Sequence, residues 1–520
     1  MKKAGDPAEF GKLRSLFWPI HSYELKKMAP MFFMFFCVSF VYTIVRDTKD
    51  TLIVTAPGSG AEAIPFLKVW CVVPAAILLM LLYSKLSNTL SKERLFYTTI
   101  FPFIVFFGLF GFVIYPMRNA IQPHETAAYL RTILPASAAG KGIIAIIENW
   151  PLAVFYILAE LWGSMILSLA FWGFANEITR IHEAKRFYGL LGIGANFALI
   201  FSGRAIVWAS NAGEGDGYAQ CLKVLMFMVV IAGLAVIATY SWMQRNVLTD
   251  PLYYEAAAIP QKKKEKPKLS MKESMLFLTR SKYLGCIALI VIAYGASINL
   301  VEVVWKSQLK LQYPNPKEYS AFMGHFSEMT GIITMFMFLF VSHNVIRRLG
   351  WTFAAMVTPV VLGLTGSLFL LFMVYGESLT GYLVAFSTTP LMMAVLFGAA
   401  QNILSKSAKY SLFDPTKEMA YIPLDPESKV KGKAAIDVVG ARLGKSGGSF
   451  VQQGLMIFMP TVASMAPIVG VACLLIIGVW ILAVRTLGGK YETLITSLGE
   501  TEVGVAKPGA AIKTTSRLAT

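Results

Sequence analysis

Apolar stretches of about 20 residues recur along the whole of this 520-residue chain, and no other feature limits its fold so strongly. A helix of that length crosses the roughly 30 Å hydrocarbon core of a bilayer. Where no water can satisfy the backbone, only helices and closed barrels span. Twelve such stretches are read, at 28–54, 63–87, 95–116, 144–176, 186–210, 220–244, 283–309, 319–345, 352–375, 380–404, 434–460 and 463–485. No soluble domain of any size fits between them. Hydrophobic residues make up 56% of the chain and charged residues only 15%, against about 25% charged in ordinary soluble proteins, and the mean hydropathy is +0.59. The expected class is an all-α membrane protein.

The formal charge of +17 is read as topology and not as affinity for nucleic acid. Lys and Arg gather in "YSKLSNTLSKER", "TRIHEAKR", "PQKKKEKPKLSMKES", "NVIRRLG" and "SKSAKYSLFDPTKEMAYIPLDPESKVKGK", which alternate with poorly basic connections such as "SNAGEGDGYAQ". Basic loops stay on the cytoplasmic side, so both termini are expected there. The N-terminus lacks the apolar core of a signal peptide. A multi-pass protein of a bacterial inner membrane is expected, in contact with the lipid bilayer and monomeric. The five cysteines are scattered in apolar segments and indicate neither a disulfide framework nor a metal site.

The Lys- and Pro-rich segment 245–282 divides the spans six and six, giving a tail at 1–27, halves at 28–244 and 283–486, and a second tail at 487–520. "LWGSMILS" at Leu161 resembles "LFGAAQNILS" at Leu396, and "GAN" at Gly194 resembles "GAR" at Gly440, which sets Asn196 opposite Arg442. Two parallel repeats with a substrate site between them near the midplane resemble the major facilitator architecture.

One stretch, "DVVGARLGKSGGSFVQQ", imitates a phosphate-binding P-loop but fails its spacing, because Val439 stands where the first Gly is needed. Lys445 and Arg442 are instead charges within a span. An ionisable side chain at the centre of a membrane helix costs about 2.5–3.5 kcal/mol on insertion scales, so each needs a partner, a wet cavity or a function. Lys68, Glu160, Arg204, Glu302 and Lys306 raise the same question, and so do Arg46, Asp47, Lys49 and Asp50 in "YTIVRDTKDTL".

Helical spacing pairs Glu302 with Lys306 and Arg46 with Asp50, and puts Arg46 with Lys49 and Asp47 with Asp50 on shared faces. Lys223 and Lys310, near span ends, are read as snorkelling to the headgroups. Lys68, Glu160, Arg442 and Lys445 have no partner on their own helix and are read as lining a cavity. An excess of cations there suits a polyanion, with Arg gripping phosphate oxygens bidentately and Lys acting as a point charge. Gly444, Gly447 and Gly448 leave room for a ligand or a neighbouring helix. Tyr42, Phe66, Tyr156 and Trp305 are read chiefly as packing, with base stacking as the alternative. His325, near Glu328, is the only histidine placed for proton coupling.

"IVRDTKDTLIVTAPGSGAEAIPFLKVW", "AELWGSMILSLAFWGFANEIT", "EAKRFYGLLGIGANFALIFSGR", "YGASINLVEVVWKSQLK", "EYSAFMGHFS" and above all "QNILSKSAKYSLFDPTKEMAYIPLDPESKVKGKAAIDVV" resemble the ATP/ADP translocase family of obligate intracellular bacteria and plastids, over about Phe33 to Val484. The resemblance implies exchange of host ATP for bacterial ADP without hydrolysis, cofactor or metal. It implies four membrane charges, matched here by Lys68, Glu160, Glu302 and Lys445, and a link between Asn196 and inorganic phosphate as a co-substrate. Arg46, Lys49, Lys306 and Arg442 complete the expected binding set. Two alternatives stay open. One is a proton-coupled importer of other nucleotides; the other is a membrane-embedded phosphotransfer enzyme, which would need a soluble catalytic face that this chain lacks.

Overall fold

A computed structural model describes residues 20–212, 217–251, 253, 281–384, 387–424, 432–433, 436 and 441–505. Every regular element among them is helical. Twelve helices organise the bundle: α1 Leu25–Thr55, α2 Ala63–Thr89, α3 Lys92–Ile114, α4 Trp150–Ile178, α5 Ile181–Asn211, α6 Tyr218–Asn246, α7 Lys282–Gln312, α8 Pro316–Ser342, α9 His343–Val384, α10 Pro390–Ala408, α11 Ala441–Phe458 and α12 Ala466–Val505. Ten are long and apolar enough to cross a membrane by length and composition. The other two, α10 and α11, have 19 and 18 residues and complete the expected twelve.

Some boundaries move. The expected span 144–176 begins at Trp150, because Ala138–Glu148 is a separate short helix behind another, His124–Ile133. The expected span 380–404 begins only at Pro390 and runs on to Ala408. Its shift follows from α9, which continues to Val384 after a break at Gly350, where φ is +81°. Much of the "SKSAKYSLFDPTKEMA" stretch, read as loop, is therefore helix, continuing through Lys409–Phe413 and Asp414–Ala420. Most of the linker 245–282 and much of 425–440 lie outside the described residues.

α1 packs on α4, α5 and α6, and α3 on α6; α7 packs on α10, α11 and α12, and α9 on α10 and α12. The first six helices meet the second six along two main seams, α5 with α8 and α2 with α11, while α1 touches α7 and α8 between them. Bare backbone makes the first seam possible. A Cβ at Gly203 would lie 2.5 Å from the Gly324 carbonyl oxygen, and one at Gly324 would lie 2.7 Å from that of Gly203. Membrane helices approach this closely only through small residues.

At the end of the bundle away from the termini the two groups of helices are tied together. The Ala138 amide donates to the Met459 carbonyl at 3.0 Å. Lys141 donates to the Pro460 carbonyl at 3.2 Å, Gln453 to that of Pro65 at 3.0 Å, and Trp70 to the Gln453 side chain at 2.9 Å. Lys310 donates to the Ser59 carbonyl. The expectation for Lys310 is thus corrected: a carbonyl on the opposite half lies within reach, so its ammonium bonds there and does not snorkel.

Candidate functional site

The charged side chains of the first span meet those of α2, α4 and α7 at the centre of the bundle. Lys306 of α7 lies 2.7 Å from Asp50 of α1 and 3.1 Å from Glu302 on its own helix. Lys49 lies 2.8 Å from Asp50 and 3.0 Å from Glu160 of α4, and its ammonium sits 3.9 Å from the centroid of the Tyr156 ring. Lys68 of α2 reaches across to α7, 3.5 Å from Glu302 and 2.8 Å from the Asn299 amide oxygen. The cluster joins both halves of the chain.

Local structure explains the reach of Lys68. Residues Leu67–Val72 form wider π-helical turns, a local deviation that recurs at functional sites. Asn299, which accepts from Lys68, itself donates to Ser449 of α11 at 2.7 Å. Gly448 lets that happen, since a Cβ there would stand 3.2 Å from the Asn299 amide nitrogen. A Cβ at Gly444 would meet the Ile292 carbonyl oxygen at 2.8 Å. Two of the three glycines in the P-loop imitation therefore admit a neighbouring helix, while Gly447 faces open space. Lys445 and Arg442 stand on α11, but their side chains lie outside the described residues.

The expected Arg46–Asp50 pair does not form. Arg46 turns to Asp47, Nε to Oδ1 at 2.9 Å, and donates to Ser327 of α8 at 2.8 Å. Asp50 is taken by Lys49 and Lys306, a pairing that spacing along one helix cannot reveal. Arg204 pairs with Glu328 at 2.6 Å, which leaves His325 a longer contact of 3.9 Å with that carboxylate. Asn196 sits apart from the cluster on α5; its amide donates to the Gly192 carbonyl of its own helix. Trp305 is packing: its indole is buried and donates to the Val395 carbonyl at 3.0 Å.

Exposure splits the cluster into two layers. Lys49, Asp50 and Lys306 are each no more than 4% exposed, whereas Lys68, Glu160 and Glu302 are 24%, 33% and 19% exposed. A solute reaches the second set first. The charges also balance, with Arg46, Lys49, Lys68 and Lys306 against Asp47, Asp50, Glu160 and Glu302. The expected cationic excess is not found among these eight. Among the described residues a further cation, which the sequence reading missed, adds to them. Lys406 of α10 makes no ion pair among the described residues, and its ammonium lies 4.8 Å from the centroid of Phe326. Phe326 neighbours Ser327, the residue that Arg46 contacts. The missed signal was the end of α10: placing it at 404 assigned Lys406 to a loop.

Helices in two groups of six around a central ionic cluster resemble the major facilitator architecture. A solved bacterial homologue of the iron transporter ferroportin, in an inward-facing state, superposes with a TM-score of 0.57 over 90% of this chain and all of that one. At 12% identity it establishes the fold alone. The chain belongs to the TLC ATP/ADP transporter family, whose model matches residues 4–491. Among its relatives are ADP,ATP carrier protein 1 of Chlamydia pneumoniae, 57% identical over 95% of this chain and 96% of that protein, and the chloroplastic ADP,ATP carrier protein 1 of Arabidopsis thaliana, 51% identical over 94% and 79%. ADP,ATP carrier protein 1 of Rickettsia bellii is 42% identical over 94% and 97%.

Proposed function

We propose that the protein is an ATP/ADP antiporter of a bacterial inner membrane that imports ATP in exchange for ADP. The family and the names of its relatives support ATP and ADP as substrates and a carrier, not an enzyme, as the molecule that handles them. The observation that carries a mechanism is the cross-half cluster, in which Lys68 and Lys306 tie α7 to α2 and α1 through carboxylates. A buried cation needs an anion beside it, and a phosphate can serve in place of a carboxylate.

In this reading nucleotide phosphates take Lys68, Arg46 and Lys406 first, with Arg442 and Lys445 of α11 completing the set. Glu302, which holds Lys68, and Glu160, which holds Lys49, then act as stand-ins while the site is empty and release these cations when the nucleotide arrives. Lys49 and Lys306 lie behind them and carry the change to Asp50. The ties at the end away from the termini support a carrier closed on that face. With the termini cytoplasmic, the site would open inwards. Asn196, on the α5–α8 seam, is the candidate for handling inorganic phosphate as a further substrate. A monomer contains both halves of the site.

Proteoliposomes test this. Uptake of labelled ATP should require ADP inside and proceed one for one, without hydrolysis. Equal uptake into empty vesicles under a pH gradient would replace the reading with proton-coupled import.

A further inference from the structure

A cavity of about 640 Å³ opens on the outer surface of the bundle, and none of the residues of the ionic cluster lines it. Its walls are Phe33, Phe36 and Phe40 of α1 and Phe227, Ile231 and Ala235 of α6. Phe33, Phe227 and Ile231 are 48%, 55% and 50% exposed, so the groove faces the hydrocarbon of the membrane. Polar character appears only towards one end, where Gln220 and Lys223 of α6 stand near Trp208 of α5. That end is a membrane interface. Ser210 near the end of α5 meets Cys221 near the start of α6 at 3.6 Å, and Tyr115 just beyond α3 lies 6.3 Å from Tyr218, ring to ring.

Length identifies the occupant. From Lys223 to Ala235 the helix rises about 18 Å at 1.5 Å per residue, close to the roughly 15 Å of one leaflet's hydrocarbon. Along α6 the groove thus runs from an interface, where an ammonium and an indole sit at headgroup level, to about the midplane. Lys223 makes no ion pair among the described residues. We propose that this groove is a binding site for an anionic glycerophospholipid of the leaflet opposite the termini, its phosphate at Lys223 and an acyl chain laid between α1 and α6. The lipid would lie against the back of the helix that carries Arg46, Asp47, Lys49 and Asp50. Its chemistry is separate from that of the nucleotide site.

Native mass spectrometry of the detergent-purified full chain, with phosphatidylglycerol and phosphatidylcholine as probes, tests the site. The wild type should retain phosphatidylglycerol in preference to phosphatidylcholine. Lys223→Gln should reduce phosphatidylglycerol retention about fivefold, the worth of one basic side chain near anionic lipid, and Lys223→Arg should restore it. Ala235→Trp fills the groove and should reduce retention of both lipids. Wild-type retention of phosphatidylglycerol in Lys223→Gln overturns the proposal by itself, whether or not the tryptophan variant folds. Wild-type retention in a folded Ala235→Trp overturns the placement of the chain.

Discussion

Asp50 on α1 and Lys306 on α7 form a 2.7 Å ion pair between the two halves of the molecule, with both side chains almost wholly buried. Removing one partner of such a pair strands the other charge, at about 3–5 kcal/mol, whereas removing both costs much less. Asp50→Asn and Lys306→Met should each lower the thermal midpoint by several degrees, and the double variant should recover part of the loss. Thermal unfolding of all four proteins in one detergent reads the coupling. Simple additivity would show that the two residues act independently.

Lys406 should separate binding from stability. Its ammonium makes no ion pair among the described residues, so Lys406→Gln should unfold at the wild-type temperature. A charge-assisted contact of about 1.5–3 kcal/mol predicts ATP binding weaker by roughly tenfold to a hundredfold, with Lys406→Arg close to wild type. Competition of unlabelled ATP against labelled ADP gives the affinity. An unchanged affinity removes Lys406 from the site. Lys445→Ala should weaken ATP binding by a similar factor, read in the same assay.

Glu302 holds Lys68 and Lys306 at once, at 3.5 and 3.1 Å. If it stands in for phosphate, Glu302→Gln removes a competitor for the cations. Exchange should slow while ATP binding stays intact or tightens. Both quantities must come from the same preparation, and a parallel loss of the two would make Glu302 a direct ligand or a structural support.

Gly203 and Gly324 leave no room for side chains where α5 crosses α8. Gly203→Val should overpack the seam at a cost of about 1–3 kcal/mol. The same change at Gly447, which faces open space, should leave the thermal midpoint within a degree or two. Equal midpoints for the two variants would contradict the packing described here.

The twelve helices were legible because an apolar run of membrane length has few alternatives in lipid. Lys68, Glu160 and Glu302 were legible for the converse reason, since a charge inside such a run demands a partner. Their partners were not. Spacing along one helix offered Asp50 to Arg46, but Asp50 faces another helix, and i,i+4 geometry carries no information about what lies across an interface. Lys306 shows the limit from the other side: its pairing with Glu302 could be read, its stronger commitment to Asp50 could not. Lys406 was lost because the helix, which runs on to Ala420, was ended at 404, where a polar stretch reads like a loop.

The ties at the end away from the termini share one property: four of their acceptors are main-chain carbonyls, those of Met459, Pro460, Ser59 and Pro65. A carbonyl is present whatever side chain its residue carries. Mutation at those four positions leaves the acceptor in place so long as the backbone path is kept, whereas loss of Lys141, Lys310 or Gln453 removes a donor outright. The Ala138 tie needs only its amide and is lost to proline alone. On its accepting side this set of ties can therefore drift in sequence, and its tolerance of change is unequal: broad at the carbonyls that receive the bonds, narrow at the few side chains that make them.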